Sequence, residues 1–120
     1  MEYAIQFRLA EQYLIRSEAL LALGNLTGAR SDLNTIRSRA GLPNSTANTG
    51  DELFSAILAE RRIELFAEQG HRWFDLKRSG KATEVLGGLK PNWEETDVLL
   101  PVPESELDTN PNLLPQNQGY

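Results

Sequence analysis

The sequence predicts a mainly α protein: a tetratricopeptide-like helical hairpin, then a long third helix, then a Pro- and Gly-rich tail that is extended and looped. Three observations carry this. Apolar residues recur three and four apart through the first part of the chain. Gly24-Asn25 and Gly41 with Pro43 punctuate that pattern at helix length. From Lys81 onward Gly87, Gly88, Pro91, Pro101, Pro103, Pro111 and Pro115 exclude any long regular helix.

The first helix is expected from Ile5 to Leu23, with Phe7, Ala10, Leu14 and Leu21 in one apolar row and Leu9, Tyr13 and Leu20 beside it. Gly24-Asn25 supplies a left-handed stop, and Thr27 is the expected N-cap of a second helix whose apolar face is Ala29, Leu33, Ile36 and Ala40. Gly41 and Pro43 end it. The short connection makes residues 5–41 an antiparallel hairpin, the unit of tetratricopeptide-type repeats, whose period is roughly 34 residues. The small side chains Ala10, Ala19, Ala29 and Ala40 permit close helix approach. Only one such unit is visible, and a lone hairpin cannot bury both faces, so it needs a neighbour, either upstream sequence or the third helix.

Residues 44–50 are rich in Asn, Ser, Thr and Gly and read as a loop. Thr49 with Glu52 fits a capping box that opens a helix over 49–79, with Leu53, Phe54, Ile57, Leu58, Leu65 and Phe66 on its apolar face. Gly70 is the expected break or kink before a continuation from His71 to Ser79, and Gly80 ends it. In the tail, 81–120, Val98 to Val102 is the most strand-like stretch, and Gly87-Gly88, without a strand, a following helix or a Lys, is a turn rather than a phosphate loop.

At 120 residues the chain suits one unit, 1–120, and 40% hydrophobic with 24% charged residues suits a folded, soluble chain. A net charge of -5 argues against a nucleic-acid partner. The absence of cysteine excludes disulfides and thiolate chemistry. No apolar run approaches the roughly 20 residues that span a bilayer, so any export signal or membrane anchor is expected upstream of Met1.

The densest cluster of chemistry-bearing residues runs from Glu60 to Arg78. Glu60 and Glu64 lie four apart on one helix face, with Arg61 and Glu68 placed to extend an ion-pair ladder. A glycosidase pair instead needs two carboxyls facing each other across a cleft, about 5 to 10 Å apart. His71 is the only histidine, which excludes a multi-histidine metal site, and Asp75 supplies it an orienting group but no nucleophile. Trp73 reads as packing, since aromatics at helical spacing are usually core. Trp93, beside Pro91 and acidic residues in a looped region, is the best local candidate for ligand contact. No catalytic residue and no cofactor is expected.

Several separated motifs occur in order: the helix pair from Phe7-Arg8-Leu9-Ala10-Glu11 through Asp32 to Leu42, the Glu60 to Arg78 stretch, Leu99-Leu100-Pro101-Val102-Pro103, Glu106-Leu107, Asn110-Pro111-Asn112-Leu113, Gln116-Asn117 and Gly119-Tyr120. Together they resemble the C-terminal region of the SusD/RagB family, the glycan- and nutrient-binding outer-membrane lipoproteins of Bacteroidetes. The resemblance implies tetratricopeptide-like hairpins carrying a loop-rich binding region. It implies a surface lipoprotein, anchored through an N-terminal cysteine, that covers a TonB-dependent, SusC-like transporter and presents oligosaccharides or other nutrients for uptake in polysaccharide utilisation. This chain corresponds to the last quarter of such a protein, and the family's ligand-binding aromatics lie mostly upstream of it. Arg61, Arg62, Glu64, Gly70, His71, Arg72, Trp73, Asp75 and Arg78 are then a structural family motif rather than a binding site. The rival reading, a helical-repeat module for protein-protein interaction, requires further repeats upstream and no export signal.

Overall fold

The computed structural model describes residues 7–120, and among them every regular element is a helix. Ile5, where the apolar periodicity begins, lies outside the described residues. The chain divides into two compact units, one up to Arg72 and the other Trp73–Tyr120, and the boundary falls inside a helix.

In the first unit, α1 (Leu9–Ala22), α2 (Leu26–Arg39) and α3 (Gly50–Glu64) pack together. α1 and α2 form the hairpin. Gly24, at φ 77°, closes it: its amide donates to Leu21 and the Asn25 amide to Leu20, capping the last carbonyls of α1 as only a left-handed residue allows. Gly41 repeats that closure after α2, and Gly80 does so after the later helix that ends at Arg78. The N-cap of α2 is Asn25, whose Oδ1 accepts from the Gly28 amide, whereas Thr27 lies inside the helix. Asn both ends one helix and starts the next, which leaves no room for a cap two residues later. At α3 the capping box forms as read: Thr49 accepts from Glu52, and the Glu52 carboxylate accepts from Thr49 and Asn48 amides.

The core is Ala10 and Leu14 of α1, Ala29, Leu33 and Ile36 of α2, and Leu53 and Ile57 of α3. α3 is thus the neighbour that the hairpin requires. Leu14, Leu33, Leu53 and Ile57 are fully buried, each contributing about 1.5–3 kcal/mol by leaving water. Ser17 takes a core position that no apolar count reveals. It is fully buried between α1 and α2, and its hydroxyl donates to the Ala29 carbonyl at 2.7 Å. Of the small residues expected at the seam, Ala10 and Ala29 are buried while Ala19 and Ala40 are exposed, Ala40 because it caps α2. Phe7, Leu9 and Phe66 are also exposed: Phe7 precedes α1, Leu9 turns off its buried row, and Phe66 lies beyond the end of α3.

The third helix is not continuous to Ser79. It stops at Glu64, before Gly70, and restarts as α4 (His71–Arg78). Between them Ala67, Gln69 and Gly70 all adopt positive φ, which for the two non-glycine residues costs of order 1–3 kcal/mol each. Arg8 satisfies one of the carbonyls that this end leaves free. Its Nη1 donates to the Glu64 carbonyl at 2.8 Å, capping the end of α3.

In the second unit, α5 (Ala82–Gly87) and α6 (Glu104–Thr109) alternate with short 3-10 turns at Glu95–Val98 and Pro111–Leu113. The tail is therefore more helical than its prolines suggest, because Pro103 serves as an N-cap and Pro111 as a first turn residue, positions that need no amide donor. Val98 to Val102 forms no strand. Val98 ends a 3-10 turn, and the Val102 amide and carbonyl are both taken by the Gln116 side chain at 2.8 Å. Asn117 donates to the Leu100 carbonyl and the Tyr120 hydroxyl to that of Leu99, so the last residues clamp the 99–102 segment through side chains.

Candidate functional site

Among the described residues, the ion pairs of Glu60 and Glu64 do not run along α3 itself. They reach across to Arg8, just before α1, and to α2. The Glu64 carboxylate lies between two guanidinium groups, 2.5 Å from Arg8 on one oxygen and 2.5 Å from Arg39 on the other. Arg8 also pairs with Glu68. Buried Glu60 accepts from Arg37 at 2.9 Å. Buried Arg61 faces Glu11 at 3.9 Å, and the His71 Nε2 is 3.7 Å from the same oxygen. A bidentate Arg16–Asp32 pair, at 2.6 and 2.7 Å, joins α1 to α2 at the other end. Hydrogen bonding to Asp32 raises Arg16 above an ordinary arginine, and hydrogen bonding to Glu64 does the same for Arg39.

Helix geometry explains the arrangement. Residues 57, 60, 61 and 64 are three or four apart, so the carboxylates and Arg61 continue the buried row that Leu53 and Ile57 begin. At the end of α3 the core becomes ionic. Breaking a buried pair of this type commonly costs about 3–5 kcal/mol. Arg62 turns outward instead, and Gly70 occupies the left-handed junction before α4. Arg72 is half-buried. Among the described residues no group of three His, Cys, Asp or Glu is arranged to hold a metal ion.

The second unit holds the other candidates. Buried Asp75 accepts from Arg78 within α4 at 2.9 Å. Trp73 and Trp93 are both half-buried and meet edge to face, with ring centroids 6.3 Å apart and planes at 73°. Trp73 packs against another aromatic ring while staying half-buried, and Trp93 is less free than its looped surroundings suggest. The Trp93 indole N–H points at Thr83 Oγ1, 3.5 Å away. Lys77 stands 5.5 Å from the Trp73 ring and Lys90 5.9 Å from that of Trp93. Such contacts at exposed sites are worth about 0.5–1 kcal/mol, little enough for an incoming ligand to displace. The indoles line an open cleft of about 310 Å³ together with Lys90, Asn92, Asp97 and Leu100. Sequence reasoning singled out Trp93 but missed these partners, since nothing in their spacing marks residues brought together by a 3-10 turn.

No helix among the described residues is long and apolar enough to cross a membrane. The model of the SusD family matches residues 1–120. A SusD-like protein of Formosa agariphila is 41% identical over 125 residues, covering 97% of this chain and 24% of that protein. The starch-binding protein SusD of Bacteroides thetaiotaomicron is 33% identical over 122 residues, covering 95% of this chain and 21% of its own length. Among solved structures, a SusD superfamily protein from Bacteroides vulgatus is 29% identical with a TM-score of 0.83, over 95% of this chain and 27% of that one. A SusD-like protein from Bacteroides fragilis is 33% identical with a TM-score of 0.76, over 92% and 25%. The chain thus spans about a quarter of the length of the relatives it matches.

Proposed function

Because this chain belongs to the SusD family, we propose that it is the C-terminal scaffold of a non-catalytic surface subunit that binds a glycan or related nutrient and works with a TonB-dependent transporter in oligosaccharide uptake. The observation that carries this reading is the family match along the whole chain, at 41% identity to a SusD-like protein and 33% to a starch-binding one. The geometry supports the scaffold part. Glu60, Arg61 and Glu64, the groups that would look like acid-base machinery, are held by Arg37, Glu11, Arg8 and Arg39. A carboxylate locked between two guanidinium groups is poorly placed to give or take a proton from a substrate. Surface attachment through a lipid anchor upstream belongs to the same proposal, as does binding carried largely by the rest of the protein.

Affinity electrophoresis of the complete gene product through native gels containing a panel of polysaccharides tests it. The expected result is retarded migration in at least one gel, with no release of reducing ends from that polysaccharide. Unretarded migration across the panel, or turnover of the retarding polysaccharide, overturns the proposal. Recovery of a TonB-dependent transporter with the tagged protein from detergent-solubilised membranes tests the partnership.

A further inference from the structure

We propose that the cleft between Trp73 and Trp93 is a subsite for one pyranose unit of the glycan, an inference that rests on the glycan-binding reading above. Two indoles meeting edge to face offer a rigid apolar corner, and aromatic faces of this kind match the C–H face of a sugar ring. The remaining lining supplies what the hydroxyl rim of such a ring needs: the Asn92 amide as donor and acceptor, the Lys90 ammonium as donor, and Asp97 as acceptor. Leu100 closes the apolar side.

Size agrees with this. About 310 Å³ stands at the lower end of small-molecule sites, enough for a single ring but not for an extended oligosaccharide. Such a subsite would add to binding elsewhere rather than replace it. Charge selects the class as well: one ammonium and one carboxylate at the rim leave the cleft near neutral, which suits a neutral sugar better than a phosphate or a nucleotide.

A purely packing role for the two indoles makes a different prediction, since in that case substitution changes melting but not affinity. The buried apolar residues of this unit are Leu76 and Ala82, while both tryptophans keep part of their surface in solvent. Lys77 and Lys90, each exposed, are held over the rings only by weak cation-ring attraction and can swing aside.

The test uses the complete gene product and the polysaccharide that retards it most, hydrolysed to short oligosaccharides, with affinity measured by calorimetry and folding by thermal melting. Trp93→Ala is expected to weaken binding roughly tenfold and Trp93→Phe by less, since a smaller ring retains some stacking. Asn92→Ala, at an exposed turn position, is expected to weaken binding severalfold without moving the melting temperature. If Trp93→Ala fails to fold, Asn92→Ala and Trp93→Phe decide the matter. Parent affinity in every folded variant overturns the subsite and leaves glycan binding intact. Failure of the parent protein to bind any saccharide overturns both.

Discussion

Arg37→Ala removes the guanidinium that faces the buried Glu60 carboxylate at 2.9 Å. The Glu60 side chain is only 5% exposed, while that of Arg37 is 25% exposed. Orphaning a fully buried partner costs about 3–5 kcal/mol, but the exposed part of Arg37 marks a path by which water reaches the carboxylate once the arginine is gone. The net loss is therefore expected at about 2–3 kcal/mol. Glu60→Leu with Arg37→Ala removes both charges and extends the apolar row of Leu53 and Ile57, so the double variant is expected to recover at least 1 kcal/mol over Arg37→Ala alone. Urea unfolding followed by far-ultraviolet circular dichroism reads both effects as midpoint shifts at unchanged slope. A change below about 0.5 kcal/mol in Arg37→Ala, of the size expected for an exposed pair, would refute the claim that the end of the core is ionic.

Four further outcomes follow from the same geometry. Thr49→Ala is expected to cost about 1 kcal/mol by removing the cap of α3, measured as a urea midpoint shift. Glu52 adds a pH signature. Backbone amides of Asn48 and Thr49 hold its carboxyl below the ordinary value of 4.5, so its contribution is present above that value and is lost as pH falls through the lower folded one. The stability gap between the parent and Glu52→Gln should then close in acid, and a gap that stays constant from neutral pH to pH 3 contradicts the reading. Ser17→Val crowds the seam where the serine hydroxyl meets the Ala29 carbonyl and is expected to cost about 1–3 kcal/mol, read by thermal melting, whereas an apolar seam with spare room would accept it. Gly119→Ala places a Cβ 2.7 Å from Thr96 Oγ1 at a φ of 103°, so it should loosen the C-terminal clamp and raise amide exchange at Val102.

Local signals were legible in the sequence. Glycine stops at Gly24, Gly41 and Gly80 and the Thr49–Glu52 box depend on residues within a turn of one another, and each forms where its pattern places it. The apolar rows of Ala10 and Leu14, Ala29 and Leu33, and Leu53 and Ile57 are likewise a matter of helical period. Features that depend on distant residues were not legible. Glu60 and Glu64 read as one surface ladder because four-residue spacing says nothing about arginines just before α1 and on α2. The cap on the end of α3 comes from Arg8, many residues away in sequence, and Ser17 in the core is satisfied by a particular carbonyl that faces it. In the tail the prolines correctly excluded long helices, but their use as helix starts hid α6, and Gln116 replaced the strand partner that Val98 to Val102 lacked.

The charged side chains between Glu60 and Arg78 act as architecture rather than as binding or catalytic groups, and the Trp73 indole alone in that stretch faces the proposed subsite. Asp75→Ala tests the architectural role most directly, because it removes a buried carboxylate from the middle of that stretch. In the complete gene product, the melting temperature and the affinity for the retarding glycan are measured on the same preparation, with binding assayed well below melting. The expected result is a lower melting temperature with affinity within about twofold of the parent. A variant that melts like the parent and no longer binds would contradict it.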